Sequence, residues 1–172
     1  MTKICAIIGC SPMCFPWGFD EEDEGCAALK LILMNWITRL RSEVCTRFAV
    51  SMDCGVGLYA AEILHGLKGS DEELETICFV SYEEQATKWT PELRDRYFNA
   101  LAACTEAVNV AYEKTVGCEF KAHLAAIKEA DAVIAVYDPD DPRCEREAAA
   151  AAVAEMLNKQ ILTLDPKAIR LQ

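Results

Sequence analysis

The sequence predicts an α/β fold with an open, mainly parallel sheet and helices on both faces. Three observations lead there. Six apolar, β-branched-rich runs recur along the chain, and the gaps between them are too long for hairpins. Those gaps carry helical periodicity, so strands and helices alternate. The runs are near-continuously apolar rather than strictly alternating, which suits strands buried on both sides. Alternation of this kind implies right-handed crossovers and a three-layer, Rossmann-like arrangement. At 172 residues the chain has the length of one ordinary domain, and no repeat or Pro/Gly/Ser tract divides residues 1–172.

The elements follow in order. Residues 3–9, Lys-Ile-Cys-Ala-Ile-Ile-Gly, form the first strand. This run is short and leads into Pro12, Pro16 and an acidic cluster without a small-residue cleavage site, so it reads as a buried strand and not a secretory signal. Leu29, Ile32, Leu33, Trp36, Ile37, Leu40 and Val44 then line one helical face. Strands are expected at 46–52 and 76–82, with a helix over 57–67 between them. Thr90-Pro91 supplies a cap and first turn for a helix over 91–103. A weaker strand at 107–112 and a helix at 120–130 precede the clearest strand, 131–137, Asp-Ala-Val-Ile-Ala-Val-Tyr. An alanine-rich helix over 143–158 and a strand at 160–164 complete the set.

Charge and cysteine content narrow the function. Seventeen basic and 28 acidic residues leave a net charge of −11, which repels nucleic acid and disfavours broad DNA or RNA binding. No apolar run reaches the roughly eighteen residues a membrane span requires. Ten cysteines occur without a single Cys-x-x-Cys pair. Several fall inside strands, where a thiol behaves as a small hydrophobe, so they read as reduced, unmetallated thiols of a cytoplasmic protein. Zinc on Cys10 and Cys14 with His65 or His123 is the alternative, although their spacing matches no zinc motif.

In a doubly wound sheet, ligands lie beyond the carboxyl ends of the strands, which selects four turns. After the first strand, Gly9 permits close backbone approach, and Cys10 and Ser11 follow it. After the second, Ser51-Met52-Asp53-Cys54-Gly55-Val56-Gly57 places two glycines just before a helix, where backbone N–H groups converge into an anion site; a plain helix start is the alternative. After the third, Tyr82 and Trp89 offer rings for stacking and Gln85 an amide for a base edge, or the aromatics simply cover the core rim. After the fifth, Asp138, Asp140 and Asp141 either coordinate Mg²⁺ or form a solvated proline turn that caps the next helix. No Ser-His-Asp or Cys-His arrangement stands out along the chain.

Taken together, these segments resemble the YpsA-like branch of the SLOG superfamily, Rossmann-type proteins related to the LOG phosphoribohydrolases and the DprA/Smf proteins. The resemblance spans nearly the whole chain. It rests on Ile8-Gly9-Cys10-Ser11-Pro12, where the family usually has Thr-Gly-(His/Tyr)-(Arg/Lys)-Pro. It rests more firmly on residues 51–62, which look like the family's Ser-Gly-x-x-Gly-Val-(Asp/Glu)-x-Trp-Ala-Ala-Glu. Gln85 with Trp89, the Arg96-Tyr97 pair and residues 130–138 fit further segments. Departures are Cys10 and Ser11 for the ring and basic residue, Met52 for a glycine and Gly57 for an acid. His123 stands for an asparagine, and Asp140-Asp141-Pro142 replaces a phosphate-gripping Gly-Gly-Thr loop.

The resemblance implies a nucleotide or nucleotide-derived ligand held by Gly9, Cys10, Ser11, Ser51, Asp53, Gly55, Val56, Tyr82, Gln85, Trp89 and Asp138. No cofactor is firmly implied beyond the Mg²⁺ option. A homo-oligomer is compatible with the sequence. Two other functions stay open: an N-glycosidic (phosphoribo)hydrolase of the LOG type, with Glu62 as its carboxylate, and an interaction protein without a ligand.

Overall fold

The computed structural model describes residues 2–43 and 45–169. Strands and helices alternate as β1 (Lys3–Gly9), α1 (Glu24–Ser42), β2 (Cys45–Ser51), α2 (Val56–Lys68), β3 (Glu75–Val80), α3 (Pro91–Ala103), β4 (Glu106–Asn109), α4 (Cys118–Lys128), β5 (Ala132–Val136), α5 (Glu145–Met156) and β6 (Gln160–Leu164). The six strands form one sheet in the order β4-β3-β2-β1-β5-β6, and every pairing is parallel. The expected α/β class and doubly wound arrangement are therefore observed. Strand order reverses between β1 and β5, where Cys10 donates its backbone N–H to Val136 O at 2.9 Å.

The strand pleat distributes the core over two faces. Cys5, Ile7, Phe48, Val50, Cys78, Ile134 and Val136 face α1, α2 and α3. Ala6, Ile8, Ala49, Val133 and Ala135 face α4 and α5. β1 and β5 are buried on both sides, which explains their unbroken apolar sequence.

At four elements whose bounds shift from expectation, a side-chain hydrogen bond marks the new limit, whereas α4, at Cys118–Lys128 instead of 120–130, starts without a side-chain cap. α1 begins at Glu24, ahead of its apolar stripe, because the Asp23 carboxylate accepts the Gly25 N–H at 2.7 Å. α5 begins at Glu145 because Pro142–Cys144 forms a 3-10 turn whose cap, Asp141, accepts the Arg143 N–H. β3 stops at Val80, where Gln85 Oε1 takes the next backbone N–H, that of Ser81, at 3.2 Å. Asp131, expected inside β5, lies just ahead of it, its side chain accepting the Ile4 N–H at 2.9 Å. Val44, assigned to the first helical stripe, lies outside the described residues. No helix among the described residues is long and apolar enough to cross a membrane.

Candidate functional site

Ser51 closes β2 and shares the pleat direction of Ala49, so its side chain faces α4 and α5. There its hydroxyl lies 2.7 Å from His123 Nδ1, and His123 Nε2 lies 3.2 Å from Glu147 Oε1. All three residues are below 5% exposed. With the ring proton on Nε2 donated to Glu147, Nδ1 is free to accept the Ser51 hydroxyl proton, a self-consistent assignment for the chain of three. Glu147 Oε2 is buried and has no donor among the described residues.

This buried Ser–His–Glu chain was not anticipated, because its members lie 72 and 24 positions apart. Two local signals mark it. Glu147 falls on the stripe of Ala150, Ala151 and Ala154, and His123 on that of Ala122, Ala126 and Ile127, polar groups at positions where their helices are otherwise apolar and buried.

Asp53 governs the start of α2. Its Oδ1 accepts the N–H groups of Gly55 and Gly57 at 2.8 and 2.9 Å. The amides expected to receive a ligand anion are thus already engaged by the chain's own carboxylate. Desolvation pushes the Asp53 carboxyl up to about 7, with Glu147 adding in the same direction and the two amide hydrogen bonds opposing it. Glycine at 57 is required by packing, since a Cβ there would lie 2.3 Å from Ser51 O. Gly9 is required likewise, because a Cβ would meet the Val56 side chain at 2.4 Å.

A cleft of about 220 Å³ opens above these groups at the carboxyl ends of β1, β2 and β3. Gly9, Ser11, Ser51, Asp53, Tyr82, Gln85 and Trp89 line it, joined by His123, which the sequence offered only as a zinc ligand, and by Glu119, Arg146 and Glu147, which had not been singled out. Arg146 pairs with Glu119 at 3.3 Å. Gln85 braces two strand ends, donating to Met52 O at 3.3 Å while accepting from Ser81, so its amide is committed to the backbone. Trp89 packs edge-on against Tyr97, ring centroids 5.0 Å apart, and also lines a neighbouring groove of about 730 Å³ with Tyr82 and Tyr112.

Other expected site residues lie elsewhere. Val56 and Gly55 pack against Gly9 and Pro12 instead of lining the cleft. Cys10 is fully buried, its sulfur beside those of Cys14 and Cys144. Asp138 is held by Lys167 Nζ at 2.9 Å and accepts the Asp140 N–H, while Asp141 binds Arg143, so this turn adopts the capping arrangement. Glu62 is exposed and paired with Arg96 at 2.6 Å; Arg96 also binds Glu21.

The comparisons agree with the resemblance read from the sequence. The chain is 27% identical over 143 residues to a UPF0398 protein of Bacillus cereus strain G9842, covering 81% of this chain and 77% of that protein. A UPF0398 protein of Bacillus licheniformis is 28% identical over 142 residues, covering 80% and 76% respectively. One from Bacillus thuringiensis strain Al Hakam is 27% identical over 143 residues, covering 81% and 77%. Residues 5–169 match the family YpsA, described as the YspA SLOG family. With a doubly wound parallel sheet underneath that match, the chain belongs to the YpsA family of SLOG proteins.

Proposed function

We propose that the cleft binds a nucleoside-like small molecule through its hydroxyl and amine donors rather than through a phosphate. One observation carries this reading: the floor is rich in acceptors, with Glu147 Oε2 buried and lacking a donor among the described residues. A buried carboxylate oxygen without a partner is costly, and a ligand O–H or N–H relieves that cost. Among the described residues that line the cleft, Glu119 and Glu147, with Asp53 beside them, outnumber Arg146, so a free phosphate meets net repulsion. Tyr82 and Trp89 at the mouth suit a planar base.

The test is calorimetric titration with adenosine, AMP, and AMP plus Mg²⁺, the first two in EDTA. Adenosine or Mg²⁺-bridged AMP binding more tightly than free AMP supports the reading, provided that Glu147→Gln weakens it. Absence of binding to every member of the panel, or tightest binding to free AMP, sinks it.

Cleavage of an N-glycosidic bond is a second reading, favoured by the Asp53 carboxyl at about 7, in the range useful for general acid or base work at a cleft wall. Release of free base from nucleoside monophosphates, abolished in Asp53→Asn, would support it. Glu62, turned to Arg96, is not among the residues lining the cleft.

A further inference from the structure

Next to Gly9 and Ser11, which line the cleft, three thiols converge. The sulfurs of Cys10, Cys14 and Cys144 all lie within 4.8 Å of one another, the only set of three such donor side chains brought together among the described residues. Cys10 and Cys144 are fully buried, and Cys14 reaches the surface slightly, at 7% exposure. Chance burial of thiols as hydrophobes does not require three sulfurs from two distant segments to point at one spot.

We propose that Cys10, Cys14 and Cys144 form a three-sulfur site for a thiophilic d¹⁰ metal ion, copper(I) before zinc. Three sulfurs at about 2.3 Å from one ion in a plane lie about 4.0 Å apart, so the widest edge needs to close by at most about 0.8 Å. Structural zinc takes four protein ligands, and no fourth donor joins the set among the described residues; soft copper(I) is suited to thiolates and to three-fold coordination. Without metal Cys10 and Cys14 hold their protons: burial, reinforced by Cys144 alongside, pushes Cys10 well up and Cys14 up to about 12. Each thiol that becomes a thiolate ligand therefore releases one proton to solvent.

The position gives such an ion a structural consequence. Cys10 follows directly on β1, Cys14 sits in the 3-10 turn Pro12–Cys14, and Cys144 leads into α5 two residues before Arg146 and three before Glu147. An ion there ties the turns on both sides of the β1–β5 switch point. It thereby fixes the start of the helix that carries Glu147 into the cleft. Arg143 already spans the same gap, donating to Met13 O at 2.7 Å.

The test is anaerobic titration of the reduced full chain with copper(I) against a bicinchoninate competitor, with X-ray absorption at the copper edge. A parallel arm uses zinc. One equivalent of copper held against the competitor in a three-sulfur shell is expected. Cys14→Ser and Cys144→Ser should weaken it by on the order of 100-fold or more, whereas the double variant Cys54→Ser/Cys104→Ser, which removes the two partly exposed thiols, should keep it. Cys14 lies at the rim, so circular dichroism of Cys14→Ser keeps the test readable if Cys144→Ser fails to fold. The proposal is overturned if no equivalent resists the competitor, if the equivalent survives Cys14→Ser, or if it disappears in the double variant. Zinc held in preference to copper overturns the choice of ion.

Discussion

The two helical layers cover the sheet in different ways. Large side chains fill the α1–α3 layer, where Leu29, Leu33, Leu58, Tyr59 and Tyr97 meet Ile7, Phe48 and Val50. The α4–α5 layer packs Ala126, Ala150, Ala151 and Ala154 against Ala6, Ala49 and Ala135. Bulk on the first face provides apolar burial, and each such side chain contributes about 1.5–3 kcal/mol. Small residues on the second allow close packing of helix and sheet. That is the face on which His123 and Glu147 reach the end of β2 and meet Ser51. One layer supplies the mass of the core, and the other supplies the polar floor of the cleft.

This division can be tested by stability measurements. The largest effect is expected in the bulky layer. Leu33→Ala removes a fully buried side chain and should cost about 3 kcal/mol in urea unfolding. A loss below about 1 kcal/mol would mean that this layer is not the main store of apolar stability.

Next comes the polar floor. His123→Ala strips Ser51 and Glu147 of their buried partner and should cost about 2 kcal/mol. His123→Gln, able to keep one of the two hydrogen bonds, should recover part of it. Equal losses in both variants would show that the ring's volume matters and its nitrogens do not.

Asp53 sharpens the contrast through pH. Its folded carboxyl titrates near 7, above an unfolded value of about 3.9, so between those limits the folded state binds more protons. The stability it contributes is full below about pH 4 and is lost as pH rises through about 7. Asp53→Asn can still accept the Gly55 and Gly57 amides, so it should flatten the profile without breaking the helix start. Parallel urea profiles of the two proteins at pH 4.5, 6 and 7.5 would refute the assignment.

The smallest effect belongs to the surface. Glu62→Gln loosens a pair with Arg96 that Glu21 also satisfies, and should change stability by less than about 1 kcal/mol. It should leave ligand binding at the cleft unaltered. A large loss of binding would place the functional site around Arg96 instead.

The strands and helices were legible from local pattern, because burial on both faces writes itself into β1 and β5 as unbroken apolar runs. Thr90-Pro91 likewise announces the start of α3 through its own cap. Several cleft positions were legible for a related reason: Ser51, Asp53 and Tyr82 sit at or just beyond strand ends, and parallel crossovers put those ends together. Orientation was not legible. Asp138 and Glu62 turn to Lys167 and Arg96, Asp53 turns back onto its own helix, and Cys10 turns toward Cys144.

What the sequence by itself determined is therefore the order of elements, their periodicity and the turns that gather at one edge of the sheet. The tertiary structure decided which groups touch there, because Ser51, His123 and Glu147 come from three elements whose contact depends on long-range packing that no local spacing encodes.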